Sequence, residues 1–278
     1  MGTWSGASVF MTGGGSGIGE GLSLELARRG AVVCVTDRDG AAAERVARAC
    51  GGASRGEALD VRDAAAVKAA IERFAGERGR LDYVFNNAGV GVGGETHELS
   101  LGHWEYVLDV NVRGVMHGVV AAYPLMVAQR GGHIVNVASL AGLMPAPLLT
   151  PYAMSKHAVV GLTLSLRAEG AAHGVKVSAL CPAAIETPIL ASKNPAHLPA
   201  VKSDVDVRRH LTKLAGRPYP LDAMVKEALV GIERDRGVIV IPRKARVLWR
   251  AGRMFPGVVE KACRDAVAAE RKAMGSAG

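Results

Sequence analysis

Tyr152 and Lys156 stand four residues apart, a spacing that sets both side chains on one face of a helix. Pro151, just before them, suits a first helical position. A phenol is a weak acid with a pKa of ~10, and a neighbouring ammonium favours its ionised form. The pair is therefore expected to exchange a proton with an alcohol or carbonyl oxygen near neutral pH. Ser139 ends the apolar run Asn136-Val137-Ala138-Ser139, ahead of that pair in the chain. Its hydroxyl can hydrogen-bond the same oxygen, or simply cap the turn that follows.

A second set of residues could hold an anion. Thr12-Gly13-Gly14-Gly15-Ser16-Gly17-Ile18-Gly19 follows another apolar run and precedes a helical pattern. Glycine there lets the backbone turn tightly and approach a pyrophosphate seated on the N–H groups of the helix start. The same residues also make an ordinary glycine-rich turn. Asp37 ends the next apolar run, where a carboxylate can accept ribose hydroxyls and repel a 2′-phosphate, favouring NAD. Arg38 could instead embrace that phosphate, so NADP stays open. Asp37-Arg38-Asp39-Gly40 also reads as a plain turn or helix cap.

These residues need elements to position them. Runs at 7–12, 31–36, 54–59, 81–86, 133–138, 175–181 and 238–241 predict strands, several of them continuously apolar as expected when both faces of a sheet are covered. Helical patterns lie between them at 17–29, 41–50, 64–78, 104–129 and 152–173. Strict alternation implies right-handed βαβ units in one doubly wound parallel sheet. Ligands of such sheets gather at the carboxyl ends of the strands. The glycine loop, Asp37, Ser139 and Cys181-Pro182 are therefore expected on one rim. Residues 187–220 carry five prolines and no sustained apolar period, which predicts a substrate-covering insertion.

Composition narrows the class. A chain of 278 residues with 49% hydrophobic and 22% charged residues is expected to fold as an ordinary globular protein. Cys34, Cys50, Cys181 and Cys263 are scattered, so neither a disulfide scaffold nor a metal site is expected. The first six residues lack a basic leader, no apolar run is long enough to span a bilayer, and a soluble cytoplasmic protein is expected. The net charge of +8 sits mainly at the end, where residues 243–278 hold nine Lys/Arg against three acids. There Val247, Ala251, Met254 and Val258 recur at helical spacing beside Arg246, Arg250 and Arg253. Such a basic amphipathic helix can lie on an anionic membrane, cover a neighbouring subunit or pack over a pocket. Nucleic-acid binding is not expected, since the charge is confined to one end and no reading motif accompanies it.

Taken together, these features resemble the short-chain dehydrogenase/reductase family over about residues 5–242. The resemblance rests on TGxxxGxG at Thr12–Gly19, on Asn86-Asn87-Ala88-Gly89, on Asn111 in Asn111-Val112-Arg113-Gly114, and on Ser139, Tyr152 and Lys156 in the family's order and spacing. It implies an α/β fold: a single doubly wound Rossmann-type domain over 1–242, with a mainly parallel seven-stranded sheet flanked by helices, and the basic helical extension over 243–278, read from its charge and spacing, follows it. It further implies an NAD(P)-dependent enzyme with Tyr152 as acid/base and Ser139 polarising the reacting oxygen. Lys156 would lower the tyrosine pKa and bind the nicotinamide ribose, and Asn111 would hold a proton-relaying water. Cofactor contacts would come from Gly13, Ser16, Gly17, Ile18, Gly19, Asp37, Arg38, Asp60, Val61, Asn87, Ala88, Gly89, Pro182, Ile185 and Thr187, besides Tyr152 and Lys156. The segment Cys181-Pro182-Ala183-Ala184-Ile185-Glu186-Thr187 departs from the family's NPGxxxT, and Ala183 replaces a glycine that could need positive φ.

Residues expected near the substrate are apolar: Leu140, Met144 and Leu149 join Ser139 and Tyr152, with no fixed charge among them. A hydrophobic alcohol or ketone is expected, with NAD the preferred cofactor. An NADPH-dependent carbonyl reductase, a membrane-peripheral steroid, retinoid or lipid oxidoreductase, and a non-catalytic nucleotide sensor are the alternatives. The resemblance also implies a homodimer or homotetramer assembled through the long helices near 104–129 and 152–173.

Overall fold

The computed structural model describes residues 4–203 and 205–275. The first three residues, read above for a leader, and the last three of the extension lie outside them. In chain order the elements are β1 (Ser8–Thr12), α1 (Gly17–Arg28), β2 (Val32–Asp37), α2 (Gly40–Cys50), β3 (Arg55–Ala58), α3 (Ala64–Arg78), β4 (Tyr83–Asn86), α4 (Leu101–Leu108), α5 (Gly114–Ala128), β5 (Gly132–Val137), α6 (Thr150–Gly170), β6 (Val175–Pro182), α7 (Val207–Ala215), α8 (Leu221–Glu233), β7 (Val238–Ile241), α9 (Arg243–Met254) and α10 (Pro256–Gly275). The seven strands form one sheet in the order β3-β2-β1-β4-β5-β6-β7, and every pairing is parallel. Strand order reverses between β1 and β4, which opens a crevice above their carboxyl ends.

The continuous apolar runs have the expected cause. Val9 and Met11 of β1 point to one layer, with Leu22 and Leu26 of α1 and Met224 and Leu229 of α8. Phe10 points to the other, with Ile71 and Phe74 of α3 and Met126 of α5. Alternate residues of one strand thus fill opposite cores, and no polar face remains. Asp39 and Asp63 start α2 and α3 by accepting the N–H groups of Ala42 and Ala66 at 3.1 and 2.9 Å.

Three elements differ from the sequence expectation. The helix predicted over 104–129 is interrupted by a π-turn at Asp109–Arg113, which carries Asn111. The stretch 187–220 contains a helix, α7, started by Asp206 accepting Arg209 N at 2.8 Å. Its short apolar set, Val207, Leu211 and Leu214, is hidden in sequence among cations and prolines. The tail is two helices, because the chain turns at Phe255-Pro256. Val258 therefore does not continue the stripe of Val247 and Met254 on one helix. α9 packs beside β7, and α10 lies on α7 and α9.

Candidate active site

The loops after β1 to β6 surround a cleft of about 1610 Å³. Gly13, Ser16, Gly17, Ile18, Asp37, Arg38, Asp60, Val61, Asn87, Ala88, Gly89, Ser139, Leu140, Met144, Leu149, Tyr152, Lys156, Pro182, Ile185 and Thr187 all line it. Two predicted residues stand one layer behind. A Cβ on Gly19 would come within 2.2 Å of the Gly13 carbonyl oxygen, so this glycine supports the loop without facing the cleft. Asn111 is buried behind Gly89, whose own Cβ would lie 3.4 Å from Asn111 Oδ1 and 3.3 Å from Lys156 Nζ.

The glycine loop is shaped by close approach. Gly13 and Gly17 have φ of 61° and 55°, and a Cβ on Gly13 would meet Ala88 Cα at 2.6 Å. Ser16 precedes α1 in extended conformation, with no side-chain cap bond. The first N–H groups of α1 are thus left to an external acceptor, a natural seat for a phosphate. Asn87 fastens β4 to this loop, donating from Nδ2 to the carbonyls of Thr12 and Gly13 at 3.0 and 2.8 Å.

Asp37 has a structural duty that its position alone left open. Oδ2 accepts Gly15 N at 2.9 Å and Oδ1 accepts Asp39 N at 3.0 Å. The carboxylate braces the loop while still facing the cleft beside the exposed Arg38. Asp60 pairs with Arg62 at 2.6 Å, and that guanidinium holds its carboxyl below the usual range. Ala183 is not among the positive-φ residues, and its N–H donates to Ile241 O at 2.7 Å. The substitution of glycine leaves this backbone unstrained.

Tyr152 and Lys156 share the inner face of α6. Lys156 Nζ donates to Val137 O at 2.8 Å and lies 5.6 Å from the centre of the Tyr152 ring. The expectation that the ammonium draws the phenol's pKa down is corrected here. Burial pushes the phenol up, and a hydrogen bond with Ser139 offsets only part of this. Burial also pulls the Lys156 ammonium down to about 8. Desolvation dominates both shifts, and the ammonium is aimed at the Val137 carbonyl.

Asn111 is engaged on three sides. Oδ1 accepts Val90 N at 2.8 Å, while Nδ2 donates to Val90 O at 2.9 Å and Ser155 Oγ at 3.0 Å. It ties the loop after β4 to α6, next to the reacting residues. Sequence reasoning missed a parallel tie. Asn86 Nδ2 donates to Asn136 Oδ1 at 2.8 Å, and Asn136 Nδ2 donates to Thr163 Oγ1 at 3.0 Å, joining β4, β5 and α6 through the core. Its signal was present as polar residues inside otherwise apolar strands.

The far end of the cleft has apolar walls from the insertion over 187–220 and from the tail, where the sequence predicts a covering segment and allows a helix packed over a pocket. Leu211 and Leu214 of α7, Leu248 of α9, and Val258, Val259 and Ala262 of α10 line it. The roof is held by a fully buried carboxylate, Glu270, which accepts Arg209 Nε at 2.9 Å and Asp206 N at 3.2 Å. Burial pushes the Glu270 carboxyl up, but the Arg209 guanidinium outweighs it and holds the group below its ordinary range. Arg271 reaches Glu95 at 2.6 Å, and Asn194 pairs with both main-chain groups of Gly93. Among the described residues no cluster of His, Cys, Asp or Glu could hold a metal ion. No described helix is long and apolar enough to cross a membrane.

Comparison with known proteins bears on the whole arrangement. Residues 7–198 match the family model for short chain dehydrogenases. The probable oxidoreductase EphD of Mycobacterium tuberculosis is 36% identical over 265 residues, covering 92% of this chain but only 44% of that protein, so the chain spans less than half of it. The cyclohexanol dehydrogenase of an Acinetobacter species is 36% identical over 194 residues, covering 68% of this chain and 77% of that protein. A crystal structure of a Burkholderia phymatum protein of this class in complex with NAD superposes with a TM-score of 0.81 at 32% identity, covering 90% of this chain and 94% of that one.

Proposed function

The chain belongs to the short-chain dehydrogenase/reductase family of oxidoreductases, and from that premise we propose that it interconverts an apolar alcohol and its ketone with NAD as redox partner. One observation carries this reading: Ser139, Tyr152 and Lys156 converge on a cleft that is glycine-lined at one end and aliphatic at the other. The residues present fit a dinucleotide. The uncapped start of α1 suits the phosphates, the Gly13–Ala88 contact leaves a shallow floor, and Asp37 faces the place where ribose hydroxyls would bind. Such a cofactor, when bound, supplies or accepts the hydride. The NAD complex of the Burkholderia protein supports the same assignment.

The protein's own part is to handle the proton and exclude water. Ser139 hydrogen-bonds the reacting oxygen, and the Tyr152 phenol gives that oxygen its proton in the reductive direction. A phenol whose pKa is raised by burial remains much more acidic than an aliphatic alcohol, so this transfer runs downhill. Lys156 supplies positive charge beside the phenolate that results. Asn111 keeps one lone pair on Oδ1, enough to hold a relay water behind Gly89. The aliphatic walls favour a hydrophobic substrate, as does similarity to a cyclohexanol dehydrogenase.

The reading is tested by following nicotinamide absorbance while secondary alcohols and ketones of increasing size are offered with NAD and NADP. Turnover with NAD that improves with apolar bulk is expected. Much tighter binding of NADPH than NADH would favour the carbonyl reductase and reject the role given to Asp37. Undiminished turnover in Tyr152→Phe would reject the acid/base assignment.

A further inference from the structure

The two tail helices face opposite ways. α10 closes the cleft, while α9 turns its outer side to solvent. Five cations and no acid occupy α9: Arg243, Lys244, Arg246, Arg250 and Arg253. On α10 the cations Lys261, Arg264 and Arg271 pair with Asp265, Glu260 and Glu95, but among the described residues Arg243, Lys244, Arg250 and Arg253 make no ion pair. Arg234 and Arg236, from the turn after α8, join Arg243, Arg246 and Arg250 around a shallow depression of about 580 Å³. Its one carboxylate, Glu227, is hydrogen-bonded to the Tyr219 hydroxyl at 2.7 Å. Burial, together with the like charges of Arg236, Arg250 and Arg243, pulls the Arg246 guanidinium down. The cluster is thus under repulsion that an external anion would relieve.

Apolar side chains stand among these charges. Val247 and Met254 are 63% and 73% exposed on the outer face of α9, and Phe255 is 59% exposed at the corner with α10. Trp249 and Ala245 occupy the inner face and pack into the core. The exposed set is therefore left over after folding, and it is large and aliphatic or aromatic.

We propose that the outer face of α9, with the adjoining end of α8 and the Phe255 corner, is a docking surface for an anionic phospholipid bilayer. Charge complementarity selects this occupant. A two-fold contact with a second copy would set the cation cluster against itself. A polyphosphate strand would satisfy the arginines yet leave Val247, Met254 and Phe255 in water. A bilayer surface offers both anionic headgroups and an acyl layer. Leu248 and Val258 are 41% and 69% exposed and also line the apolar cleft, which sets its substrate-binding end beside the docked face. Only that last step rests on the proposed reaction; docking does not.

Flotation of the full chain with vesicles tests the surface without any substrate. Binding to phosphatidylcholine vesicles containing phosphatidylserine is expected, with little binding to phosphatidylcholine alone and weakening at high salt. Arg243→Glu/Arg250→Glu is expected to weaken partition by at least roughly fivefold for each cation removed. Met254→Ser/Phe255→Ser should also release the protein, and circular dichroism and turnover of a water-soluble substrate should match the wild type for both variants. Failure of the wild type to float with phosphatidylserine vesicles overturns the proposal. So does unchanged flotation of Met254→Ser/Phe255→Ser, which would mark a plain polyanion site, or a dimer that this variant dissociates, which would put a second copy on the face.

Discussion

The rim of the cleft and its roof hold a ligand site by different physical means. The rim is made by backbone in close contact: Gly13 against Ala88, Gly19 against Gly13, and Asp37 and Asn87 hydrogen-bonded to loop main chain. Its shape is fixed by hard-sphere limits and leaves no slack. The roof is made by side chains on helices distant in sequence, closed by Glu270 on Arg209 and Arg271 on Glu95. Its walls are aliphatic and adjustable. A region that must fit one invariant group is built from main chain. A region that sorts substrates is built from side chains, where substitution changes volume without unmaking the fold.

Substitutions in the two regions should therefore fail in different ways. The largest effect is expected from Tyr152→Phe at the inner end of the rim, with kcat falling by about 10²–10⁴-fold for substrates of every size. Binding of NADH, followed by its fluorescence, should persist. An effect on kcat that varied with substrate size would assign the tyrosine to the sorting region instead. Next comes Gly19→Ala, whose added methyl meets the Gly13 carbonyl. Overpacking of this kind costs about 1–3 kcal/mol, read as a lower denaturation midpoint, and should weaken NADH binding before it alters substrate preference.

In the roof, Glu270→Gln keeps the side chain's shape and removes the charge that holds Arg209. The KM for bulky apolar substrates should rise roughly tenfold while small alcohols keep theirs, since only the former use the walls from α10. A uniform rise for all substrates would mean that the roof also positions the cofactor, and the contrast between the regions would fail.

The same contrast explains what the sequence disclosed. The sheet was legible because most of its strands are buried on both faces and read as apolar runs, as at Val33 to Val35 and Ile239 to Ile241. The glycine loop and the Tyr152–Lys156 pair were legible because close approach and helical periodicity are local properties. The roof was not. Arg209 and Glu270 lie 61 residues apart, and nothing local announces their pairing. α7 was concealed by its length and its cations. Gly19 was placed in the right region but one layer too far forward, since spacing reports neighbourhood and not depth. Depth also decided the pKa shifts, because proximity of Tyr152 to Lys156 was visible but their common burial was not.

Burial of Lys156 leads to the smallest of the expected effects. An ammonium whose pKa is lowered to about 8 in the folded protein, against 10.5 when unfolded, is destabilising wherever both states carry the proton. As pH rises through about 8 the folded state releases its proton while the unfolded state keeps it, so stability grows until about 10.5. Lys156→Met removes the buried charge, and its gain is tempered because Val137 O loses its donor. The variant should be inactive yet more stable than the wild type by about 1 kcal/mol at neutral pH. Denaturation midpoints should show this gap shrinking between pH 8 and 10.5. Glu270→Gln should lose stability over the same range, because its carboxylate is the paired member of an interaction that favours folding. Opposite signs for two buried charges would show that the rim holds its lysine for chemistry at a cost in stability, whereas the roof holds its glutamate for structure. Loss of stability in both variants would mean that Lys156 is a structural group too, and the division between the two regions would no longer stand.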